Sequence, residues 1–308
     1  MKFALLGQPY DLLPFVRVIA EEEPSHELSV VIPMSSEMGE IYRSDSNVAL
    51  GDSWEALLAE GPTGQWDVLL LSQRATTTLE EQSLRKLPRS GRPIICAHPA
   101  LDSMLSAYEL EMTCRDGGAR LIPWLPLRTH PLVATLSGWL REPFTSPVGK
   151  IERLTIRRDF ASAQRSLVTA AFARDVDLIR VLVGDPATLL ASGVGAADSM
   201  LFRTLAVDLT GESAVAVHWA AGDPDTNGDV LTLQGETGVV EWRIPTFDSR
   251  GECRVKSKGT ETSVPAAAWS YDDAARKRCG ASRPTRLPCP TGTRRPVRSK
   301  CWMRWSAV

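Results

Sequence analysis

Short apolar runs alternate with amphipathic stretches over residues 1–125. Runs of four or five residues, each long enough for one strand, occur at 2–6, 28–32, 68–71, 93–96 and 121–124. The stretches between them place apolar residues at helical spacing, at 10–22, 53–60, 78–87 and 101–114. The run at 68–71 contains no polar residue, which is typical of a parallel strand buried on both faces. Regular alternation of strand and helix predicts an α/β fold with a doubly wound parallel sheet.

The pattern changes after Pro126. Two helices are predicted at 131–141 and 165–183, with an alternating strand at 150–157 between them. Further strand-like runs, separated by turn residues, follow at 188–194, 206–210, 214–220, 230–234, 238–244 and 251–257. This half predicts an α+β domain with a large open antiparallel sheet. We therefore expect a Rossmann-like dinucleotide-binding domain at 1–126 and a substrate and oligomerisation domain at 127–276.

Composition narrows the class of protein. The chain has 308 residues, 43% hydrophobic and 23% charged, which are globular proportions with room for two domains. No apolar run approaches the roughly 18 residues that a membrane span needs. The apolar start is too short for the core of a signal peptide, so we expect a cytoplasmic protein with no membrane partner.

Charge and cysteine are distributed unevenly. Nine of the 35 Lys and Arg residues and none of the 37 Asp and Glu residues lie in 277–308, which leaves a net charge of −11 on residues 1–276. Such an acidic body predicts no nucleic-acid partner. The six cysteines form no C-x-x-C motif, so we expect free thiols and no metal site. The basic stretch 277–308 is predicted to be either a disordered, partner-binding tail or a segment translated out of frame.

The turn after the first strand is where a dinucleotide-binding fold holds a pyrophosphate, at a helix N-terminus. That turn should read G-x-G-x-x-G, but here Gly7 is followed by Gln8, Pro9 and Asp11. Pro9 removes a backbone N–H, and Asp11 adds negative charge near the phosphates. We therefore expect NAD or NADP to bind weakly. The acidic residue expected some twenty positions later is missing, so the choice between NAD and NADP stays open.

Two histidines are candidates for the predicted ligand-binding cleft of the parallel sheet. His98 follows the run 93–96, at the end of a parallel strand where such folds place ligands. An imidazole there can move a proton near neutral pH, although ordinary hydrogen bonding is the alternative role. His130 begins the helix after the sixth strand and is a candidate for the same cleft.

Six short motifs, in order along residues 2–276, resemble those of the glucose–fructose oxidoreductase, inositol dehydrogenase and MocA superfamily (Gfo/Idh/MocA). They are Phe3–Gly7, Trp66–Leu71, Ala97-His98-Pro99, Leu127–Pro131, Val148–Ile151 and Asp177–Pro186. The resemblance implies NAD(P)-dependent hydride transfer on a sugar, polyol or related hydroxyl compound. It also implies self-association through the open sheet face. The cofactor contacts that it implies come from Gly7, Gln8, Ser72, His98 and Pro99.

Departures from the family pattern fall on the catalytic helix. When the family motif D-x-G-x-H-x-x-D is aligned on Asp177, this chain has Ala170, Phe172 and Arg174 in place of the motif's first Asp, its Gly and its His. Arg174 stays protonated, so it can orient a carboxylate or phosphate but cannot remove a proton.

Family members have Glu-Lys-Pro where this chain has Ala97-His98-Pro99, so His98 replaces the usual lysine. The resemblance therefore leaves His98 and Asp177 as catalytic candidates. It implies substrate-binding roles for Arg128, His130 and Arg174. The alternative is a catalytically silent relative that binds a ligand or a protein partner.

Overall fold

The computed structural model describes residues 1–7, 12–21, 26–33, 48–59, 64–72, 84–98, 104–160, 165–194, 204–211, 214–222, 228–245, 251–264 and 269–281. The chain forms two compact units. The first comprises Met1–Trp124 with Ala275–Val308, and the second comprises Leu125–Ala274. No helix within the described residues has both the length and the apolar character needed to cross a membrane.

A six-stranded parallel sheet organises the first unit. Its strands are β1 (Lys2–Leu6), β2 (Glu27–Ile32), β3 (Ala49–Leu50), β4 (Val68–Leu71), β5 (Ile94–Ala97) and β6 (Leu121–Trp124). Their order across the sheet is β3-β2-β1-β4-β5-β6, and every neighbouring pair is parallel. Helices α1 (Leu13–Glu21) and α2 (Met104–Asp116) accompany it. The predicted doubly wound parallel sheet is confirmed.

Burial explains why these segments take these conformations. All four residues of β4 and of β5 are buried, as their continuous apolar sequences require. Helix α1 carries Pro14 in its first turn, where a proline is tolerated, and buries Phe15, Val18 and Ile19 at helical spacing.

Two predicted helices of this unit differ in the structure. The helix expected at 53–60 is a short 3₁₀-helix, Trp54–Leu57, and Ser53 precedes it without a side-chain cap. Gly61 and Pro62 follow too closely in the sequence for a regular helix to extend. The helix expected at 78–87 lies mostly outside the described residues, and Leu87–Ser90 form a 3₁₀-helix.

Within the described residues, the second unit is built on an eight-stranded sheet and two long α-helices. The helices are α3 (Pro131–Arg141) and α4 (Arg165–Val183). The strands are β7 (Ile151–Asp159), β8 (Pro186–Val194), β9 (Thr204–Gly211), β10 (Ala216–Gly222), β11 (Val230–Gly235), β12 (Gly238–Arg243), β13 (Glu252–Ser257) and β14 (Thr260–Val264). Residues of α3 and α4 share one apolar core with one sheet face, centred on Trp219, Leu231 and Trp242. Side chains on the other face are partly or fully exposed, as in the predicted α+β domain with an open sheet.

The sheet order is β14-β13-β12-β11-β7-β10-β9-β8. The described pairs are antiparallel except β7–β10, which is parallel, so the sheet is mixed rather than purely antiparallel. Strand β14 is mostly exposed and polar, which gives no alternating apolar pattern to predict it from. A tight turn at Lys258 and Gly259, both with positive φ, joins it to β13.

Helix α5 (Tyr271–Ala281) extends past the predicted start of the tail at residue 277. Cys279 is buried, and Arg276 donates a hydrogen bond to Glu21 of the same unit at 2.6 Å. Residues 277–281 therefore continue a helix in which Cys279 is buried. The rest of the predicted tail, 282–308, lies outside the described residues.

Candidate functional site

Three of the predicted cofactor-contacting residues lie at the carboxyl edge of the parallel sheet. Leu6, Leu71 and Cys96 are register partners on β1, β4 and β5. Gly7 and Ser72 directly follow β1 and β4, and His98 directly follows β5. The strand order reverses between β1 and β4, and open α/β sheets bind ligands at such a switch point. Gln8 and Pro99 lie outside the described residues.

Gly7 has a backbone conformation that favours glycine. Its φ is +102°, a region in which residues with a side chain are strained, and its N–H donates to the Ile32 carbonyl at 3.1 Å. The Ser72 N–H donates to the Leu6 carbonyl at 3.1 Å, and Ser72 is fully buried. The backbone at this edge is thus held in place with no side chain on Gly7 to block a phosphate.

His98 is half-buried one residue beyond Ala97. Two residues earlier, the Cys96 thiol is within 3.8 Å of the Ile122 carbonyl oxygen, and burial raises its pKa to about 12. A thiol with so high a pKa is not a nucleophile at neutral pH. The Cys96 thiol is therefore not a candidate for nucleophilic chemistry, and proton transfer by His98 stays a prediction.

In the second unit, the structure brings two predicted site residues together. The Arg128 Nε donates to Asp177 Oδ2 at 2.6 Å, and its Nη2 donates to Oδ1. The Asp177 side chain is only 7% exposed, whereas that of Arg128 is 45% exposed. Both carboxylate oxygens are occupied, so Asp177 is held as the acceptor in a two-bond ion pair.

A second, more deeply buried network lies beside this pair on α4. Asp175 is fully buried and accepts hydrogen bonds from Arg158 Nε and Trp219 Nε1, both at 2.8 Å. The remaining guanidinium nitrogens of Arg158 donate to Asp175 and, at 2.7 Å, to Asp229. The sequence analysis missed this network. The available signal was Asp175 on the apolar face of a helix, since a buried carboxylate needs a partner.

Two departures from the family motif are accommodated in the packing. Ala170 is buried, and the Phe172 ring packs edge-on against Trp219 with 5.0 Å between ring centroids. Arg174, by contrast, is exposed. Within the described part of the chain, its side chain has no hydrogen-bonding or ion-pair partner.

His130 is enclosed. Its Nδ1 accepts a hydrogen bond from the Leu132 N–H at 3.1 Å and so caps α3. The ring lies 5.0 Å from that of Trp242 and 4.5 Å from that of Trp269, and the residue is 2% exposed. Burial lowers the pKa of His130 to about 4. His130 thus caps the first turn of α3, and its substrate-binding role stays a prediction.

Comparison with solved structures gives extensive matches at low identity. Biliverdin reductase from Synechocystis sp. PCC 6803, solved with biliverdin and NADP+, is 14% identical, with 91% of this chain and 89% of the reductase covered and a TM-score of 0.68. An oxidoreductase from Agrobacterium radiobacter, solved with NAD+, L-tartaric acid and magnesium, is 13% identical, with 92% and 87% covered and a TM-score of 0.65.

Aldose–aldose oxidoreductase from Caulobacter crescentus, solved with glycerol, is 13% identical, with 92% and 90% covered and a TM-score of 0.69. No family model matches the chain, and no curated protein matches its sequence. The structural likeness therefore establishes the fold, and it confirms the predicted order of a Rossmann-like α/β domain followed by an α+β domain with a large open sheet.

Proposed function

We propose that this chain is an NAD(P)-dependent oxidoreductase that transfers a hydride to or from a sugar, polyol or related hydroxyl compound. The observation that carries the proposal is the carboxyl edge of the parallel sheet. There Gly7, Ser72 and His98 follow adjacent strands at the point where the strand order reverses.

The shared fold supports the same function. Structures with this architecture were solved with NADP+, with NAD+ and with NADH. A further structure with this architecture, solved with glycerol, is an aldose–aldose oxidoreductase. Fold alone does not establish activity, so the residues at the edge carry the argument.

The residues present fit a nicotinamide dinucleotide in part. Gly7 has the required positive φ, and Gln8, Ser72, His98 and Pro99 are the other positions that would contact the cofactor. The glycines that would follow Gly7 are absent, which removes close backbone contacts to the pyrophosphate and predicts weak binding. When bound, the cofactor supplies or accepts the hydride. In this proposal His98 gives or takes the accompanying proton.

Titration calorimetry with NADH and NADPH tests the proposal directly. We expect binding with a dissociation constant above the micromolar level. Gly7→Ala should weaken it roughly tenfold or more, because a Cβ at φ +102° is strained and stands where a phosphate would approach. Gly118→Ala is the matched control, since Gly118 also has positive φ, +71°, and has open space around its Cβ position in the same unit.

Each outcome of the titration has a definite meaning. Binding that Gly7→Ala weakens and Gly118→Ala leaves unchanged supports the proposed cofactor site. A chain that stays folded yet binds neither nucleotide at millimolar concentration is a catalytically silent relative. A sub-micromolar dissociation constant would contradict the expected weakness without contradicting the function.

A further inference from the structure

The two edges of the eight-stranded sheet differ in length and in charge. Strand β14 ends the sheet on one side with five residues, and it carries Glu261, which forms an ion pair with Arg254 at 3.7 Å. Strand β8 ends the sheet on the other side with nine residues, and none of them is charged. Exposed edges are normally protected by charges, prolines, bulges or short strands, because an open edge pairs readily with another chain. In β8 such protection is confined to the start, where a register shift follows Pro186.

The outer side of β8 is uncovered on both faces of the sheet. Leu190 and Ser192 are exposed on the open face, and Ala191 and Gly193 are exposed on the face that carries the helices. Within the described residues, β9 is the one strand that pairs with β8. The backbone N–H and C=O groups on the outer side of β8 are therefore open to a further strand.

Leu190 is the large apolar side chain of this edge. It is 71% exposed, and its register partner on β9 is Asp208, whose carboxylate is bonded to His218. A charged neighbour does not cover an apolar side chain. A second apolar side chain beside Leu190 would remove that surface from water, which is favourable in proportion to the area covered.

The sequence of β8 suits pairing with itself. Leu190 is the middle residue of the strand, with four residues on each side. If two copies of β8 pair antiparallel about a two-fold axis at Leu190, all nine residues lie opposite a partner, and Leu190 lies opposite Leu190 of the second copy. Thr188 then lies opposite Ser192. Opposite residues in an antiparallel pair have Cβ atoms about 4.5–5.5 Å apart and point to the same face, so the two leucines would contact each other.

We infer that β8 is an interaction surface for a second copy of this chain, and that the two β8 strands pair antiparallel about a two-fold axis at Leu190. The pairing joins two eight-stranded sheets into one continuous sheet. An extended peptide of another sequence would gain the same backbone hydrogen bonds, but an identical strand also places an apolar side chain opposite Leu190. A two-fold contact covers both edges at once, so association through β8 stops at two copies.

This contact differs from self-association through the open sheet face. Edge pairing uses the backbone of β8, whereas face packing uses side chains across several strands. A chain that uses both contacts forms a tetramer, and loss of either contact leaves a dimer. The tests of the edge contact therefore need a readout specific to β8.

Cysteine cross-linking tests the register. Leu190→Cys is introduced into a full-length chain that also carries Cys289→Ser and Cys301→Ser, and the four described native cysteines are buried. Leu167→Cys is the matched control, because Leu167 is an exposed leucine on α4. With oxidised glutathione, the Leu190→Cys chain should form a covalent dimer roughly tenfold faster than the control, since the pairing holds its two thiols opposite each other.

Hydrogen exchange measured by mass spectrometry distinguishes edge pairing from face packing. Edge pairing supplies acceptors to the outward N–H groups of β8, and face packing does not. Leu190→Lys brings two ammonium groups together at the axis, so the amides of 187–193 should exchange roughly tenfold faster than in the parent chain. Leu190→Val keeps an apolar contact and should keep the slow exchange. Ser263→Lys places the same charge on the opposite edge strand and should leave the exchange of β8 unchanged.

Several results would overturn the inference. Equal cross-linking rates of the Leu190→Cys and Leu167→Cys chains would do so, as would a parent chain that light scattering shows to be monomeric at micromolar concentration. A dimeric parent whose β8 amides exchange at the same rate after Leu190→Lys has its contact elsewhere, which also contradicts the pairing. The proposed function is tested separately, because the cofactor edge lies in the first unit and β8 in the second.

Discussion

Arg128 and Asp177 lie 49 residues apart in the sequence and are joined by two hydrogen bonds between guanidinium and carboxylate. The pair connects the 3₁₀-helix Pro126–Thr129 to α4. One partner was predicted to bind substrate and the other to act in catalysis. Because both carboxylate oxygens of Asp177 accept hydrogen bonds from Arg128, the pair stabilises this junction, and the catalytic role of Asp177 stays a prediction.

Asp177→Asn should lower the free energy of unfolding by about 1–2 kcal/mol. It removes the negative charge from a hydrogen-bonded ion pair in which Asp177 is buried and Arg128 is partly exposed. Urea unfolding measures this change. Arg128→Gln should have a similar effect, and the double variant should lose much less than the sum of the two. If the Asp177→Asn variant instead keeps its stability and loses turnover, Asp177 acts in catalysis and not in stabilising the fold.

Asp175→Ala should be far more damaging. The carboxylate is fully buried, and its loss leaves the Arg158 guanidinium with Asp229 alone and the Trp219 indole N–H without its acceptor. Removing one partner of a buried ion pair costs about 3–5 kcal/mol. Asp208→Ala is the control, since Asp208 pairs with His218 on an exposed strand surface and should change stability by less than about 1 kcal/mol. Comparable losses in both variants would show that the Asp175 network contributes no special stability.

The sequence predicted the strands of this fold better than their pairing. The apolar run Val68–Leu71 predicts a parallel strand that is buried on both faces, and all four of its residues are buried. The parallel pairing of β7 with β10 was not predictable, because an alternating strand has the same pattern in either direction. Strand β14 has no buried side, so its sequence carried no pattern to detect.

The position of the candidate cofactor site was predictable, because open α/β sheets bind ligands at the carboxyl ends of their strands. Gly7, Ser72 and His98 follow strands whose order the fold class fixes. The partners of Arg158 and Asp175 were not predictable, because Asp175 and Trp219 lie 44 residues apart and Arg158 and Asp229 lie 71 apart. Only the three-dimensional fold joins them.

The stability of the second unit should depend on the protonation of His130. Its pKa is about 4 in the folded chain, against about 6.5 for an unperturbed histidine, so the unfolded chain binds the proton more readily. The contribution of neutral His130 to the free energy of unfolding is therefore complete above about pH 6.5, and it is lost as the pH falls from 6.5 towards 4. His130→Asn keeps an N-capping side chain and does not titrate. Urea unfolding at pH 7.5 and pH 5 should show a smaller loss in the variant, and an equal loss would contradict the assignment to His130.

His98→Ala should lower turnover by roughly 10²–10⁴-fold, the usual contribution of a general acid or base. Nucleotide affinity should change much less, because proton transfer is not required for binding. His218→Ala removes a histidine from the exposed sheet face of the other unit and serves as the control. Near-normal turnover in the His98 variant would exclude His98 from proton transfer.

The open face of the eight-stranded sheet is expected to mediate self-association. Helices α3 and α4 share a core with the face that bears Trp219, while Ala220 and its register partner Ala206 lie half-buried on the other face. Small side chains on a sheet face allow close packing of a second copy, and a two-fold contact buries the same patch of both copies. Ala220→Glu should therefore dissociate the oligomer, because it buries an unpaired carboxylate from each copy in the contact. Ala134→Glu makes the same change at an exposed position of α3 and should leave the oligomer intact. Light scattering at micromolar concentration measures the mass of each, and a monomeric parent chain, or equal dissociation by both variants, would rule out this face as the interface.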